Sequence, residues 1–108
     1  MPKAICADKP GGIEVLDWRE VETPKLGPDD VLIHQTKIGL NFIDVYMTSG
    51  TYPFPENGPQ IPGGEAAGIV AEVGANVRSL KIGDRVAYTT ANGAFRQERV
   101  LPAKKLVK

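Results

Sequence analysis

The chain has 108 residues, which is enough for one compact domain with its own core. Hydrophobic residues make up 42% of it and charged residues 24%, proportions that exclude a disordered chain, a collagen-like repeat and a disulfide scaffold. We therefore expect one domain over residues 1–108. Because 13 basic residues balance 13 acidic ones, no net charge attracts nucleic acid or an anionic membrane, and we expect neither as a partner.

Cysteine content and the N-terminus bear on location. The chain has one cysteine, Cys6, so an internal disulfide is impossible and a reducing compartment is favoured. The first residues lack the apolar stretch of a signal peptide, and no run of about 18 apolar residues occurs. We therefore expect a cytoplasmic protein.

Short runs rich in Val and Ile predict strands, because Gly, Pro, Asp and Asn bound them. The predicted strands are 31–38, 68–73, 85–89 and 95–100. Segments with turn chemistry separate the runs, at 9–12, 24–30, 74–76 and 91–93. This spacing predicts a mainly-β fold, a small, partly open barrel with one or two short helices.

One segment in mid-chain predicts a short helix. Asn41 is a suitable N-cap, Asp44 lies in the first turn, and Gly50 is a suitable C-terminal residue. Four side chains share one face of this helix: Phe42, Val45, Tyr46 and Ser49. Four prolines in residues 51–62 then exclude regular helix and favour a long surface loop, the kind of segment that often lines a site.

Two linked motifs carry a family resemblance. GGEAAGIV at 63–70 is followed by KIGDRV at 81–86, and this order resembles the catalytic domain of the medium-chain dehydrogenase/reductase superfamily. Upstream, IGLNFIDVY at 38–46 and SGTYP at 49–53 are similar to the quinone oxidoreductase branch, which includes the zeta-crystallins. The resemblance covers essentially the whole chain. It implies a GroES-like barrel that, in a complete enzyme, precedes a Rossmann domain for NADPH.

The sequence departs from the alcohol dehydrogenase branch at the zinc ligands. That branch has a cysteine where Asn41 stands and a histidine where Gly64 stands. Zinc is usually held by about four Cys, His or carboxylate ligands, whereas this chain offers one cysteine and one histidine, each in a separate predicted strand. The cysteine-rich lobe of many alcohol dehydrogenases is also absent. We expect no bound zinc.

The resemblance also implies roles for four residues. It places Tyr46 and Tyr52 at the quinone, where each hydroxyl would donate a hydrogen bond to the developing charge, so both are candidate catalytic residues. It places Asn41 and Asp44 on the nicotinamide side, as candidate cofactor-binding residues. From sequence alone, each tyrosine is more often a packed aromatic, Asn41 is equally compatible with a helix cap, and Asp44 is compatible with a helix-dipole partner.

Three further residues receive no catalytic role. Glu65 is interpreted as a buried carboxylate paired with an arginine. His34 is interpreted as a structural residue of a strand, and Cys6 as a small buried hydrophobe.

The leading hypothesis is the catalytic domain of an NADPH-dependent, zinc-free quinone oxidoreductase, a homodimer when complete. The sequence has no G-x-G-x-x-G fingerprint, because Glu65 stands where the second glycine of 63–68 would be required. We therefore expect the isolated domain to bind NADPH weakly and to be inactive or nearly so. Two alternatives stay open: a non-catalytic GroES-like binding or assembly module, and a 2-enoyl reductase of the same superfamily.

Overall fold

The computed structural model describes residues 1–50, 60–90 and 92–108. In chain order the strands and the helix are β1 (Lys3–Ala7), β2 (Leu16–Glu20), β3 (Asp30–Gly39), α1 (Phe42–Ser49), β4 (Glu65–Val73), β5 (Arg85–Thr89) and β6 (Glu98–Pro102). Two single-turn 3₁₀ helices cover Ile13–Val15 and Ala103–Lys105. The mainly-β prediction is therefore confirmed, with one short α-helix among these described segments.

Two antiparallel sheets form the domain. The larger sheet has the order β5-β4-β3-β6, and the smaller is the β1-β2 hairpin. Isolated bridges from Ala4 to Arg96 and from Ala7 to Gln60 attach the hairpin to the rest of the domain. The sheets stay open, as the prediction of a partly open barrel requires.

The core lies against one face of the larger sheet. Its buried side chains are Val31, Ile33, Ala66, Val70, Val77, Leu80, Val86, Tyr88, Ala94 and Leu101. In β5 burial alternates strictly, so Val86 and Tyr88 point inward while their neighbours are exposed. This is the period of two from which the strands were predicted.

The predicted strand at 95–100 is wrong at its start, because β6 begins at Glu98. Ahead of it, the Phe95 N–H donates to the Pro62 carbonyl and the Phe95 carbonyl accepts from the Ile5 N–H, both at 2.9 Å. The Gln97 N–H donates to the Lys3 carbonyl at 2.9 Å. The backbone thus bonds to several segments in turn, and regular pairing with β3 begins only at 98.

Helix α1 has the predicted ends. Asn41 is the N-cap and forms a capping box with Asp44. Gly50 ends the helix with φ of 89°, a left-handed conformation that glycine adopts without strain. Most of the predicted 51–62 loop, including Tyr52, lies outside the described residues. Within the described part of the chain, no helix is long and apolar enough to cross a membrane.

Candidate active site

The start of α1 is joined to β4 through a pair of side chains. Asn41 Nδ2 donates to Glu65 Oε2 over 3.2 Å, and both residues are exposed. The strand register explains the meeting, because Gly39 at the end of β3 lies opposite Glu65 at the start of β4. A Cβ at position 39 would lie 2.4 Å from Glu65 Oε1, so a larger residue there would displace this carboxylate. The Asn41 amide is thus held at a defined place on the surface.

The Asp44 carboxylate belongs to a buried residue, of which only 3% is exposed. Its Oδ2 accepts a hydrogen bond from the Asn41 N–H at 2.9 Å. Its Oδ1 is buried and has no hydrogen-bond partner among the described residues. Buried polar atoms without partners are rare and costly in proteins. Asp44 therefore offers an acceptor that a bound molecule or an ordered water would satisfy.

The outer side of α1 is apolar. We call the exposed set Leu40, Phe42, Ile43, Val45 and Tyr46 the α1 surface. Leu40 and Phe42 are 75% and 80% exposed, and Tyr46 is 44% exposed. The helix buries its other side, with Asp44, Met47 and Thr48 turned inward. A contiguous exposed apolar patch of this kind typically marks a site for a ligand or another domain.

A concave region adjoins the Asn41–Glu65 pair on its sheet side. It has a volume of about 540 Å³ and is lined by Lys37, Glu65, Thr89 and Lys105 together with Tyr88 and small and aliphatic residues. Glu65 is common to this cavity and to the hydrogen bond with Asn41. The two lysines make the cavity's charged lining mostly positive.

The structure brings three of the four predicted site residues together. Asn41, Asp44 and Tyr46 all belong to the first turns of α1 or its cap, whereas Tyr52 lies outside the described residues. The interpretation of Glu65 as a buried partner of an arginine is wrong, because Glu65 is exposed and bonds to Asn41. The sequence signal for this contact was Gly39, the last residue of β3, because a glycine there leaves space for the side chain opposite it on β4.

The remaining candidates have the structural roles expected of them. His34 lies in β3 with its Nε2 3.2 Å from Glu98 Oε2, and its side chain is 63% exposed. Cys6 is 2% exposed, and burial raises the pKa of its thiol, which disfavours the reactive thiolate. Over residues 1–50, 60–90 and 92–108, no group of three His, Cys, Asp or Glu side chains is placed to hold a metal ion.

Comparison with known proteins shows the family. Residues 27–108 match the alcohol dehydrogenase GroES-like domain. The chain is 45% identical over 108 residues to a quinone oxidoreductase of Pseudomonas aeruginosa, a match covering 99% of this chain and 33% of that protein. It is 39% identical over 112 residues to a 2-haloacrylate reductase of a Burkholderia species, covering 100% of this chain and 33% of that protein.

Comparison with a solved structure indicates the same family as the sequence comparisons. The Escherichia coli quinone oxidoreductase complexed with NADPH superposes with a TM-score of 0.90 at 40% identity, covering 97% of this chain and 32% of that one. The chain belongs to the alcohol dehydrogenase GroES-like domain family, and its resemblance to the quinone oxidoreductases is confirmed. It spans about a third of the length of these relatives.

Proposed function

We propose that the chain is the catalytic domain of an NADPH-dependent quinone oxidoreductase that works without zinc. The observation that carries the proposal is the exposed Asn41 amide, which Glu65 holds beside the apolar α1 surface. An amide stands there in place of the cysteine ligand of zinc alcohol dehydrogenases. The names of the relatives, two quinone oxidoreductases among them, support the same reaction class.

The described residues suit the nicotinamide side of such a site. Asn41 uses one Nδ2 hydrogen on Glu65, and its second remains to donate to a carbonyl or hydroxyl of a bound molecule. Asp44 Oδ1 is a buried acceptor without a described partner and suits a donor such as a carboxamide N–H or a ribose hydroxyl. When bound, NADPH supplies the reducing electrons. The protein's part is to orient it and to exclude water.

The acceptor side rests on the tyrosines. An alcohol substrate needs a Lewis acid to stabilise its alkoxide, whereas a quinone is electron-poor and becomes aromatic on reduction. A hydrogen bond to the quinone oxygen then suffices to stabilise the charge that develops there. Tyr46, 44% exposed on the α1 surface, has the hydroxyl for this, and we assign Tyr52 the same kind of contact.

A second candidate function is the reduction of an activated carbon–carbon double bond. The 2-haloacrylate reductase relative favours it, since the match to that protein covers 100% of this chain at 39% identity. A tyrosine hydroxyl or an amide that supports charge on a quinone oxygen would equally support charge on an enolate oxygen. The two functions therefore differ in substrate and share the same residues of this domain.

The test compares two lengths of protein. We expect the reading frame beyond residue 108 to encode a strand followed by G-x-G-x-x-G, and the extended protein to oxidise NADPH with 1,4-benzoquinone. The 108-residue chain alone should bind NADPH without saturation at micromolar concentrations, as measured by nicotinamide fluorescence. Saturable micromolar binding by the short chain would mean that the cofactor is held here.

The choice of substrate separates the candidates. The extended protein is assayed with NADPH against benzoquinone and against 2-chloroacrylate at equal concentrations. A larger kcat/KM for the quinone supports the proposal, and a larger kcat/KM for 2-chloroacrylate supports the second candidate. Activity with neither substrate, or a stop codon directly after residue 108, would favour a non-catalytic binding module.

A further inference from the structure

A second polar cavity is formed by elements other than α1. It has a volume of about 240 Å³ and lies between the 60–61 and 92–93 segments and β6. Its polar lining consists of Gln60, Asn92, Arg96 and Arg99, and none of its described lining residues is acidic. Two guanidinium groups thus line one small cavity that contains no described carboxylate.

Backbone carbonyls hold Arg96 in place. Its Nε donates to the Glu98 carbonyl at 2.7 Å and its Nη2 to the Glu22 carbonyl at 3.3 Å. A guanidinium has five N–H donors, so these two contacts leave three of them unassigned among the described residues. The side chain is oriented without its charge being neutralised.

Arg99 is held in a similar way. Its Nη1 lies 3.3 Å from the Tyr88 hydroxyl and its Nη2 donates to the Asn92 carbonyl at 2.9 Å, while the guanidinium stacks 5.3 Å from the centre of the Tyr88 ring. Gly93 makes room, because a Cβ there would lie 2.6 Å from Arg99 Nη2. Neutral groups therefore fix the second guanidinium as well.

No described carboxylate lines the cavity beside the pair, and the charge of Glu98 acts on Arg96 from outside it. Neither Arg96 nor Arg99 forms a salt bridge with a described residue. The nearest acid in sequence, Glu98, is bonded through its carboxylate to Thr23 and His34 instead. Burial lowers the pKa of Arg96, and the positive charge of Arg99 lowers it further. An anion in the cavity would relieve this repulsion.

We propose that the cavity between Arg96 and Arg99 is a binding site for a phosphate group. Two fixed guanidiniums, each with N–H donors that no described residue accepts, suit a dianion with several acceptor oxygens, and arginine forks match phosphate geometry. Gln60 and Asn92 are the uncharged polar residues of the same lining. The phosphate is either free in solution or part of a nucleotide, since the recognition chemistry is the same.

The test titrates the 108-residue chain with inorganic phosphate and follows ¹⁵N–¹H resonances, with sodium chloride keeping the ionic strength constant. Saturable shifts are expected at residues 92, 93, 96 and 99. Asn92→Asp places a carboxylate in the cavity and should weaken the phosphate affinity at least about tenfold. Asn76→Asp is the control, because it makes the same charge change outside this cavity and should leave the affinity unchanged.

A second pair of variants removes positive charge. Arg96→Gln should weaken phosphate binding, whereas Arg78→Gln should not, since Arg78 bonds to the Ala75 and Val77 carbonyls elsewhere. Folding of each variant is checked by the dispersion of its spectrum. Shifts that never saturate, or equal phosphate affinity in Asn92→Asp and Asn76→Asp, would overturn the proposal.

Nucleotides identify the source of the phosphate. If NADPH displaces inorganic phosphate and NADH does not, the 2′-phosphate occupies the site. If both displace it, the pyrophosphate does, and if neither displaces it, the ligand is a free phosphate or a small phosphate ester. Each of these results requires saturable phosphate binding. Phosphate binding is measured without a quinone, so this proposal and the proposed quinone reaction can fail separately.

Discussion

Asn41 Nδ2 donates to Glu65 Oε2 over 3.2 Å, which links the cap of α1 to the first residue of β4. The same Asn41 donates its backbone N–H to Asp44 at 2.9 Å. Two carboxylates thus hold one asparagine by its side chain and its backbone. Asn41 is exposed, so its amide can reach a bound molecule. The two hydrogen bonds limit how far that amide can turn away.

Glu65 is accordingly expected to act through Asn41 in the complete enzyme. Glu65→Ala should lower kcat/KM about threefold to tenfold, the cost of one charge-assisted hydrogen bond at a partly exposed position. In an Asn41→Ala background, Glu65→Ala should have almost no further effect on kcat/KM. Glu72→Ala, at the exposed far end of β4, is the control and should be neutral. Additive losses in the double-mutant cycle would show that Glu65 acts independently.

The two tyrosines are expected to contribute differently. Tyr46→Phe and Tyr52→Phe each keep the ring and remove the hydroxyl, and each should lower kcat/KM for a small benzoquinone about tenfold to a hundredfold. Tyr46 is held on a helix, so its loss should lower kcat. Tyr52 should mainly affect KM, and NADPH affinity should change little. Wild-type kinetics in both variants would mean that the two hydroxyls have no catalytic role and that the rings only pack.

Metal independence is expected because Asn41 and Gly64 stand at the two zinc-ligand positions of the alcohol dehydrogenase branch. Protein purified without chelators should contain no stoichiometric zinc by elemental analysis. Dialysis against a chelator should leave its thermal transition unchanged, since no metal ligands would be vacated. One equivalent of zinc that survives dialysis would contradict the assignment.

The Tyr88 hydroxyl is expected to stabilise the fold. Tyr88 is 5% exposed, its hydroxyl donates to Gln35 Oε1, and burial raises the pKa of its phenol. Tyr88→Phe leaves the acceptor without its donor and should reduce the free energy of unfolding by about 1–3 kcal/mol in urea denaturation. Thr89→Val, which removes an exposed hydroxyl from the same strand, is the comparison and should cost less than about 0.5 kcal/mol. Equal stabilities would contradict the role.

The sequence by itself determined the local structure. Alternation of apolar and polar residues marks β5 at its observed bounds, Arg85–Thr89. Asn41, Asp44 and Gly50 mark both ends of α1, because capping and left-handed termination depend on residues close together in the chain. The family motifs at 38–46 and 63–70 were also readable without any structure.

Only the tertiary structure decided which side chains meet. Asn41 and Glu65 are 24 residues apart, and their contact depends on the β3–β4 register, which places Gly39 opposite Glu65. The start of β6 was misplaced for a similar reason, since the backbone before Glu98 bonds to β1 and to Pro62, which are distant in sequence. Local patterns carry no information on strand register or long-range pairing, because both are set by how the whole core packs.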